Sequence, residues 1–323
     1  MTHSNRGASR ARSLMPAARL IASAVLAMSL LLTGGPARAT EALNRQAPPA
    51  PAPANSAGPA LWVVRDADST LYLFGTVHFL RPTTAWETPR VTEAFDGADR
   101  LVLEVADPND QTAVIPLIQQ YGMSPDVRLS SMLTTDEMAR LDAAARILGA
   151  NAAQLDGMRP WLAGVVLSAS ALVKAGYDPG SGADLILRSR AVAAGMPIEG
   201  LESPEMQVRM LAGFPEAGQL TFLRRTLEAF DNAQTGPDRL VEAWAVGDVE
   251  AVEALAVLPM RRDSELVYQS VLVQRNMRWT DQIETLLDGA GTAFIAVGVL
   301  HLVGDDSVPA MLQARGIEVS VAP

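Results

Sequence analysis

The sequence predicts an α/β (α+β) protein: a mixed β-sheet core with a long, mostly helical insertion between two strands that each run into a Gly-x-x-His. Three observations predict it. Apolar strand-like runs stand near both ends of the chain. Two of them, Leu71-Tyr72-Leu73-Phe74 and Ala293-Phe294-Ile295-Ala296-Val297, lead into the same pattern, Gly75-Thr76-Val77-His78 and Gly298-Val299-Leu300-His301. About residues 110–290 carry helical periodicity with capping residues. After the second pattern the chain reads loop, helix, strand, the order of a parallel crossover.

Residues 1–39 read as a secretory leader. Arg6, Arg10, Arg12 and Arg19 form a basic start without acids, Leu20 to Leu32 is apolar, and Ala37-Arg38-Ala39 is an A-x-A cleavage pattern. The apolar run is shorter than the ~20 residues a membrane span needs, which favours a leader over an uncleaved anchor. The expected address is periplasmic or secreted, with no stable membrane insertion after cleavage. Residues 40–59 are Ala/Pro-rich and read as a semi-extended linker. The folded part is then 60–323, one large domain with its insertion.

The chain carries 26 basic and 36 acidic residues. The leader holds five of the basic residues and no acids, leaving 21 against 36 and a net charge of −15 in the mature chain. That balance speaks against nucleic acid or an anionic membrane surface as partner. Cysteine is absent, which excludes disulfides, a thiol nucleophile, zinc–thiolate chemistry and a lipid-modified cysteine.

Within the folded part, Leu61-Trp62-Val63-Val64 and Leu71–Phe74 flank the polar Asp66-Ala67-Asp68-Ser69 and predict an antiparallel hairpin that delivers His78. Glu93 to Ala98 is helical. Arg100 to Val105 is an apolar strand holding one acid, Glu104, which falls near His78 if this strand lies beside the hairpin. Thr134 and Glu137 have capping-box spacing, with Gly149 closing the helix. Trp161 to Val173 is apolar almost throughout yet too short to span a bilayer, so it reads as a buried core helix. A turn-rich loop, Gly176 to Gly182, precedes a helix over Ala183–Ala194 closed by Gly195. Pro197 to Glu202 is a short strand running into Ser203-Pro204, an N-cap and first helical residue. Amphipathic helices follow through Leu287, and Ser307–Ala314 and Ile317–Ala322 supply the final helix and strand.

His3 lies in the leader, so the mature chain holds two histidines, and both occupy the Gly-x-x-His pattern. Imidazole is the commonest metal ligand and the usual acid/base group near neutral pH. The competing reading is a pair of turn histidines whose glycines supply positive φ. Glu104 has two readings as well. A carboxylate among buried apolar residues must be paired, protonated or bound to a cation, whereas one at a strand end can turn to solvent. Glu202 just before a helix N-terminus can act on the site or merely complement the helix dipole.

These residues carry a resemblance. Leu73-Phe74-Gly75-Thr76-Val77-His78, Leu101-Val102-Leu103-Glu104, Gly176-Tyr177-Asp178, Gly200-Leu201-Glu202 with Gln207, Arg275-Asn276, and Val297 to Gly304, in this order, resemble the TraB/PrgY/GumN family, which includes the animal Tiki proteins. The resemblance spans most of 60–323. It implies an α/β core with a helical region and, in the Tiki branch, a metal-dependent peptidase using two Gly-x-x-His motifs and a glutamate, positions matched here by His78, His301 and Glu104. Leu300 departs from the small residue or glycine that many relatives carry before the histidine.

The chemistry so implied is hydrolysis at a divalent metal ion (Mn, Co, Zn or Fe) held by His78, His301 and a carboxylate. Glu104 is either the third ligand or the general base, with Glu202 and Asp178 as further candidates. Arg275 either stabilises an oxyanion or clamps a substrate carboxylate, or forms an ordinary ion pair. Gln207 and Asn276 are read as orienting or structural groups. The expected substrate is a peptide or small envelope-derived molecule. Two other readings stand beside this one: a non-catalytic binding protein for a peptide or envelope component, and a metal-free esterase. The esterase lacks a Gly-x-Ser-x-Gly, since Gly180-Ser181-Gly182 has the wrong spacing.

Overall fold

The structure, a computed structural model, describes residues 58–147, 149–230 and 236–322. The predicted leader, the linker up to residue 57 and His3 lie outside the described residues. In chain order the main elements are β1 (Leu61–Arg65), β2 (Ser69–Thr76), α1 (Pro89–Asp96), β3 (Arg100–Leu103), α2 (Gln111–Leu117), α3 (Thr135–Ile147) and α4 (Pro160–Lys174). They continue with α5 (Ala183–Ala194), β4 (Ile198–Gly200), α6 (Pro204–Ala212), α7 (Glu216–Ala229), α8 (Gly236–Ala245), α9 (Gln274–Leu287), β5 (Gly291–Gly298), α10 (Val308–Ala314) and β6 (Val319–Val321). The described chain divides into a sheet unit (58–106, 176–202 and 236–322) and a helical unit (107–175 and 203–230).

The sheet is mixed and six-stranded, in the order β4-β3-β5-β2-β1-β6. Strands β4, β3, β5 and β2 are parallel neighbours, while β1 is antiparallel to both β2 and β6. The hairpin forms as predicted: Asp66 Oδ1 accepts from the Asp68 and Ser69 N–H groups and fixes the tight turn. The last helix is also a crossover between parallel strands. It lands on the far side of β1, however, and not beside β5. Nor does β3 lie beside the hairpin. β5 runs between β3 and β2, pairing with both.

Strand β5 is buried from Ala293 onward, as expected of a central parallel strand covered on both faces. On one face Phe74 packs against Trp86 and Phe294 with centroids 5.7 Å away, and Phe95 meets Phe294 edge-on at 5.4 Å. Each such pair adds about 0.5–1.5 kcal/mol to the burial itself. Arg90 on α1 donates to the carbonyls of Pro59 and Ala322, fastening the two ends of the described chain.

β4 and α5, which fall within the stretch read as one helical insertion, belong to the sheet unit, as do α8 and α9. The helical unit centres on α4, whose residues Pro160 to Leu172 are all buried, in agreement with the core-helix reading. Its small Gly164 admits the Phe222 ring of α7. No helix among the described residues is long and apolar enough to cross a membrane.

Gly75 fixes how closely the two Gly-x-x-His segments approach. A Cβ there would stand 3.0 Å from Val299 Cα and 2.9 Å from its Cγ2. Gly75→Ala should destabilise the protein by about 1–3 kcal/mol through overpacking. Gly218→Ala, at an exposed position of α7 with no atom within 4 Å of the new methyl, should stabilise it by about 0.5–1 kcal/mol. Denaturant unfolding of both variants checks the contrast.

Candidate functional site

Parallel pairing of β2 with β5 places Gly75 opposite Val297 and Thr76 opposite Gly298, so the two motifs leave neighbouring strands one residue out of step at the same carboxyl-terminal edge. That edge is where open α/β sheets place ligands. His78 and His301 are both buried there, at 8 % and 0 % exposure. Glu104, one residue past β3, arrives from the other side of β5. Its Oε1 accepts from the Gly298 N–H at 2.8 Å and lies 3.9 Å from His78 Nε2 and 4.0 Å from His301 Nε2. Glu202 follows from β4, where its N–H donates to the Glu104 carbonyl at 2.8 Å.

Arg275 joins these groups from the first turn of α9. All five of its N–H groups are engaged. Nε donates to both Glu202 oxygens at 3.0 and 3.1 Å, and Nη2 donates to Glu104 Oε2 at 2.6 Å and lies 2.9 Å from Glu202 Oε2. Nη1 donates to the Val271 carbonyl at 3.2 Å and stands 3.1 Å from His301 Nε2. Arg278, half-exposed, adds a bond to Glu202 Oε1 at 3.2 Å. Trp279, one turn beyond Arg275, stacks against both the guanidinium (4.6 Å) and the His301 ring (4.3 Å between centroids).

The outer nitrogen of each imidazole is held by a different group. His301 Nδ1 stands 2.6 Å from Asn276 Oδ1, whose own Nδ2 donates to the Asp306 carbonyl at 2.7 Å. An amide oxygen only accepts, so His301 carries its proton on Nδ1 and presents a lone pair on Nε2. Burial and the Arg275 charge hold its pKa well below the usual histidine range, and the ring is neutral. His78 Nδ1 stands 3.1 Å from Asp184 Oδ1, in the first turn of α5. Burial lowers the pKa of His78, but Asp184 and then Glu104 more than reverse this and raise it to about 9. Its Nε2 is buried without a hydrogen-bond partner. Burial pushes the Glu104 carboxyl up, yet Arg275, then the two histidines and the Gly298 N–H, together outweigh it and hold it at about 2.

Gly298 opens the space these groups share. A Cβ there would lie 3.1 Å from Glu104 Oε1, 3.6 Å from His301 Cδ2 and 3.7 Å from His78 Nε2. Two imidazole nitrogens and a carboxylate oxygen are the donor types of a borderline divalent ion, and each histidine has its outer nitrogen fixed as ligand histidines do. The donors therefore fit such an ion in kind. In spacing they are wider than the about 3.4 Å between two ligands 2.1 Å from a tetrahedral ion. Among the described residues no group of three or more His, Asp or Glu side chains stands in metal-holding geometry.

Of the residues singled out in the sequence, His78, His301, Glu104, Glu202, Arg275 and Asn276 are brought together. Asp178 is not. Its exposed carboxylate accepts from the Gly180 N–H and Ser181 Oγ and caps the turn at Pro179–Ser181. Gln207 is buried on α6 of the helical unit. Asp184 and Trp279 were missed. Asp184 was legible only as an acid in a first helical turn. Trp279 stands four residues after Arg275 and so shares its helix face, a spacing that could have found it.

Comparison with known proteins gives the family of a chain with this fold and site. The chain belongs to the TraB/PrgY/gumN family, whose profile matches residues 60–321. It is similar to the uncharacterized protein YbaP of Escherichia coli (strain K12), with 24 % identity over 264 residues covering 79 % of this chain and 92 % of that one. An uncharacterized protein of Treponema pallidum (strain Nichols) is 21 % identical over 267 residues, 79 % and 80 % of the two chains. No solved structure matches.

Glu104 gives a pH prediction. Its folded pKa of about 2 is below the ordinary 4.5, so the stability it contributes is complete above pH 4.5 and is lost as pH falls through about 2. The deficit of Glu104→Gln relative to wild type should therefore shrink by about 1 kcal/mol between pH 7 and pH 3.5. Equal deficits in urea titrations at the two pH values would show that folding does not depress the pKa of this carboxyl.

Proposed function

We propose that the chain is an exported metal-dependent hydrolase, most simply a peptidase, whose divalent ion (Mn, Co, Zn or Fe) would be held by His78 and His301, with Glu104 as third ligand or as general base. One observation carries the reading. Two imidazoles on adjacent parallel strand ends have their Nδ1 atoms beside Asp184 and Asn276, and His78 Nε2 and the His301 ring edge at Cδ2 border the side-chain-free space at Gly298 together with a carboxylate oxygen. When bound, such an ion lowers the pKa of a water and polarises a carbonyl. The protein's own groups do the rest. Asp184 and Asn276 orient the rings. Glu104 offers Oε1 as ligand or as proton acceptor while Arg275 fixes Oε2. Arg275 is the cation placed to meet negative charge developing on a substrate oxygen, provided that one of its present acceptors releases an N–H. The basic leader with its A-x-A end supports export, and the acidic mature chain suits a peptide or small envelope-derived substrate better than nucleic acid.

A second reading, a non-catalytic binding protein, is favoured by one observation: the Arg275 network is complete without any ion. Elemental analysis of untagged mature protein separates the two. Near-stoichiometric Mn, Co, Zn or Fe in wild type, absent from His78→Ala and His301→Ala, is the outcome expected of the hydrolase. Wild type that stays free of metal after incubation with each ion would sink that reading and leave the binding protein.

A further inference from the structure

We propose that Arg275 is the resident cation of this site, and that a divalent ion binds only by displacing its guanidinium from His301. For the identity of the incoming ion, the inference rests on the hydrolase reading. A neutral imidazole has one unprotonated nitrogen and one in-plane lone pair. Asn276 fixes that lone pair on His301 Nε2, and Arg275 Nη1, 3.1 Å away, occupies it. The same lone pair cannot accept from a guanidinium and ligate a metal ion. The two cations therefore compete for His301, and for the negative charge of Glu104.

The geometry makes the exchange local. Nε and Nη2 hold Glu202, Nη1 also donates to the Val271 carbonyl, and the ring face of Trp279 lies 4.6 Å from the guanidinium carbon. Only the contact to His301 has to break, while Glu202 keeps the charge in place. Val271 belongs to a π-helical turn, Gln269–Val273, directly before α9. Turns of that kind are enriched at functional sites and allow small changes in helix register. On the open side, His78 Nε2 has no hydrogen-bond partner to give up and has only to release its proton. The wider-than-ligand spacing of His78, Glu104 and His301 is the spacing expected while the guanidinium, and not an ion, draws Glu104 and His301 toward itself.

The test is calorimetric titration of Mn²⁺ and of Zn²⁺ into untagged metal-free wild type, Arg275→Lys and Arg275→Met. Lysine keeps a charge between the carboxylates but presents no fork that reaches His301 as well. Methionine removes the competitor. The expected order is tightest binding in Arg275→Met, by about tenfold or more over wild type, with Arg275→Lys between them. Equal or weaker binding in both variants overturns the proposal while leaving the hydrolase reading intact. Binding in the variants but not in wild type supports the resident arginine and defeats the hydrolase. Absence of binding in all three defeats both. Should Arg275→Met fail to fold without ions, Arg275→Lys decides on the same criterion, with circular dichroism confirming its fold.

Discussion

The sheet edge depends on one cation. Glu104 and Glu202 follow two neighbouring parallel strands, and each residue is only 6 % exposed. Unpaired, two such charges would repel one another and each would lose several kcal/mol of hydration. Arg275 offsets both losses with bonds to each, and its remaining donors reach His301 and the α9 approach. One side chain thus ties β3, β4, the turn after β5 and the first turn of α9. The planar fork of arginine permits this, because five donors in fixed directions can serve four acceptors that an ammonium could not reach together. A buried network of this kind is a weak source of net stability. Its effect is to fix one arrangement, since any slip of β3 against β4 would separate the carboxylates from the guanidinium.

Much of this was legible in the chain. The two Gly-x-x-His patterns follow apolar runs, and runs of that composition become adjacent buried strands because parallel sheets bury both faces. Glu104 stood out as an acid in an apolar strand, and the structure resolves its two readings in favour of pairing. Ser203 and Pro204 marked a helix start, and Ser203 Oγ does accept from the Met206 N–H. What could not be read was order in the sheet. Nothing in the local pattern of β3 says that β5, arriving nearly two hundred residues later, will insert between it and the hairpin, because strand order is set by long-range packing. The same limit hid Asp184. Its distance from His78 is a property of how α5 returns to the sheet, whereas Asp178, nearer the recognisable Gly-Tyr-Asp, turned out to cap its own loop.

The helical segments divide along a line the sequence did not mark. α4 is apolar on all sides, and a helix without a polar face can only be a core element, so it gathers α3 and α7 around itself as a separate unit. α9 is different. Its buried residues Arg275, Asn276, Trp279, Thr280, Ile283 and Leu287 recur every three or four positions, and the polar ones cluster at its amino-terminal end. That helix carries the site on its first turn and core packing on the rest, which lets the guanidinium and the Asn276 amide be aimed by an element that packing holds rigid.

The late arrival of β5 also bears on when the protein can fold. β2 cannot meet β3 until β5 stands between them, and β1 lacks its outer neighbour until β6 exists. Both missing strands lie in residues 291–321. A growing chain therefore reaches its carboxyl-terminal tenth with the sheet still split and its edges unpaired. Contacts of such sequence separation form slowly and only after synthesis ends. The two histidines therefore come within reach of one another only once the last tenth of the chain is in place.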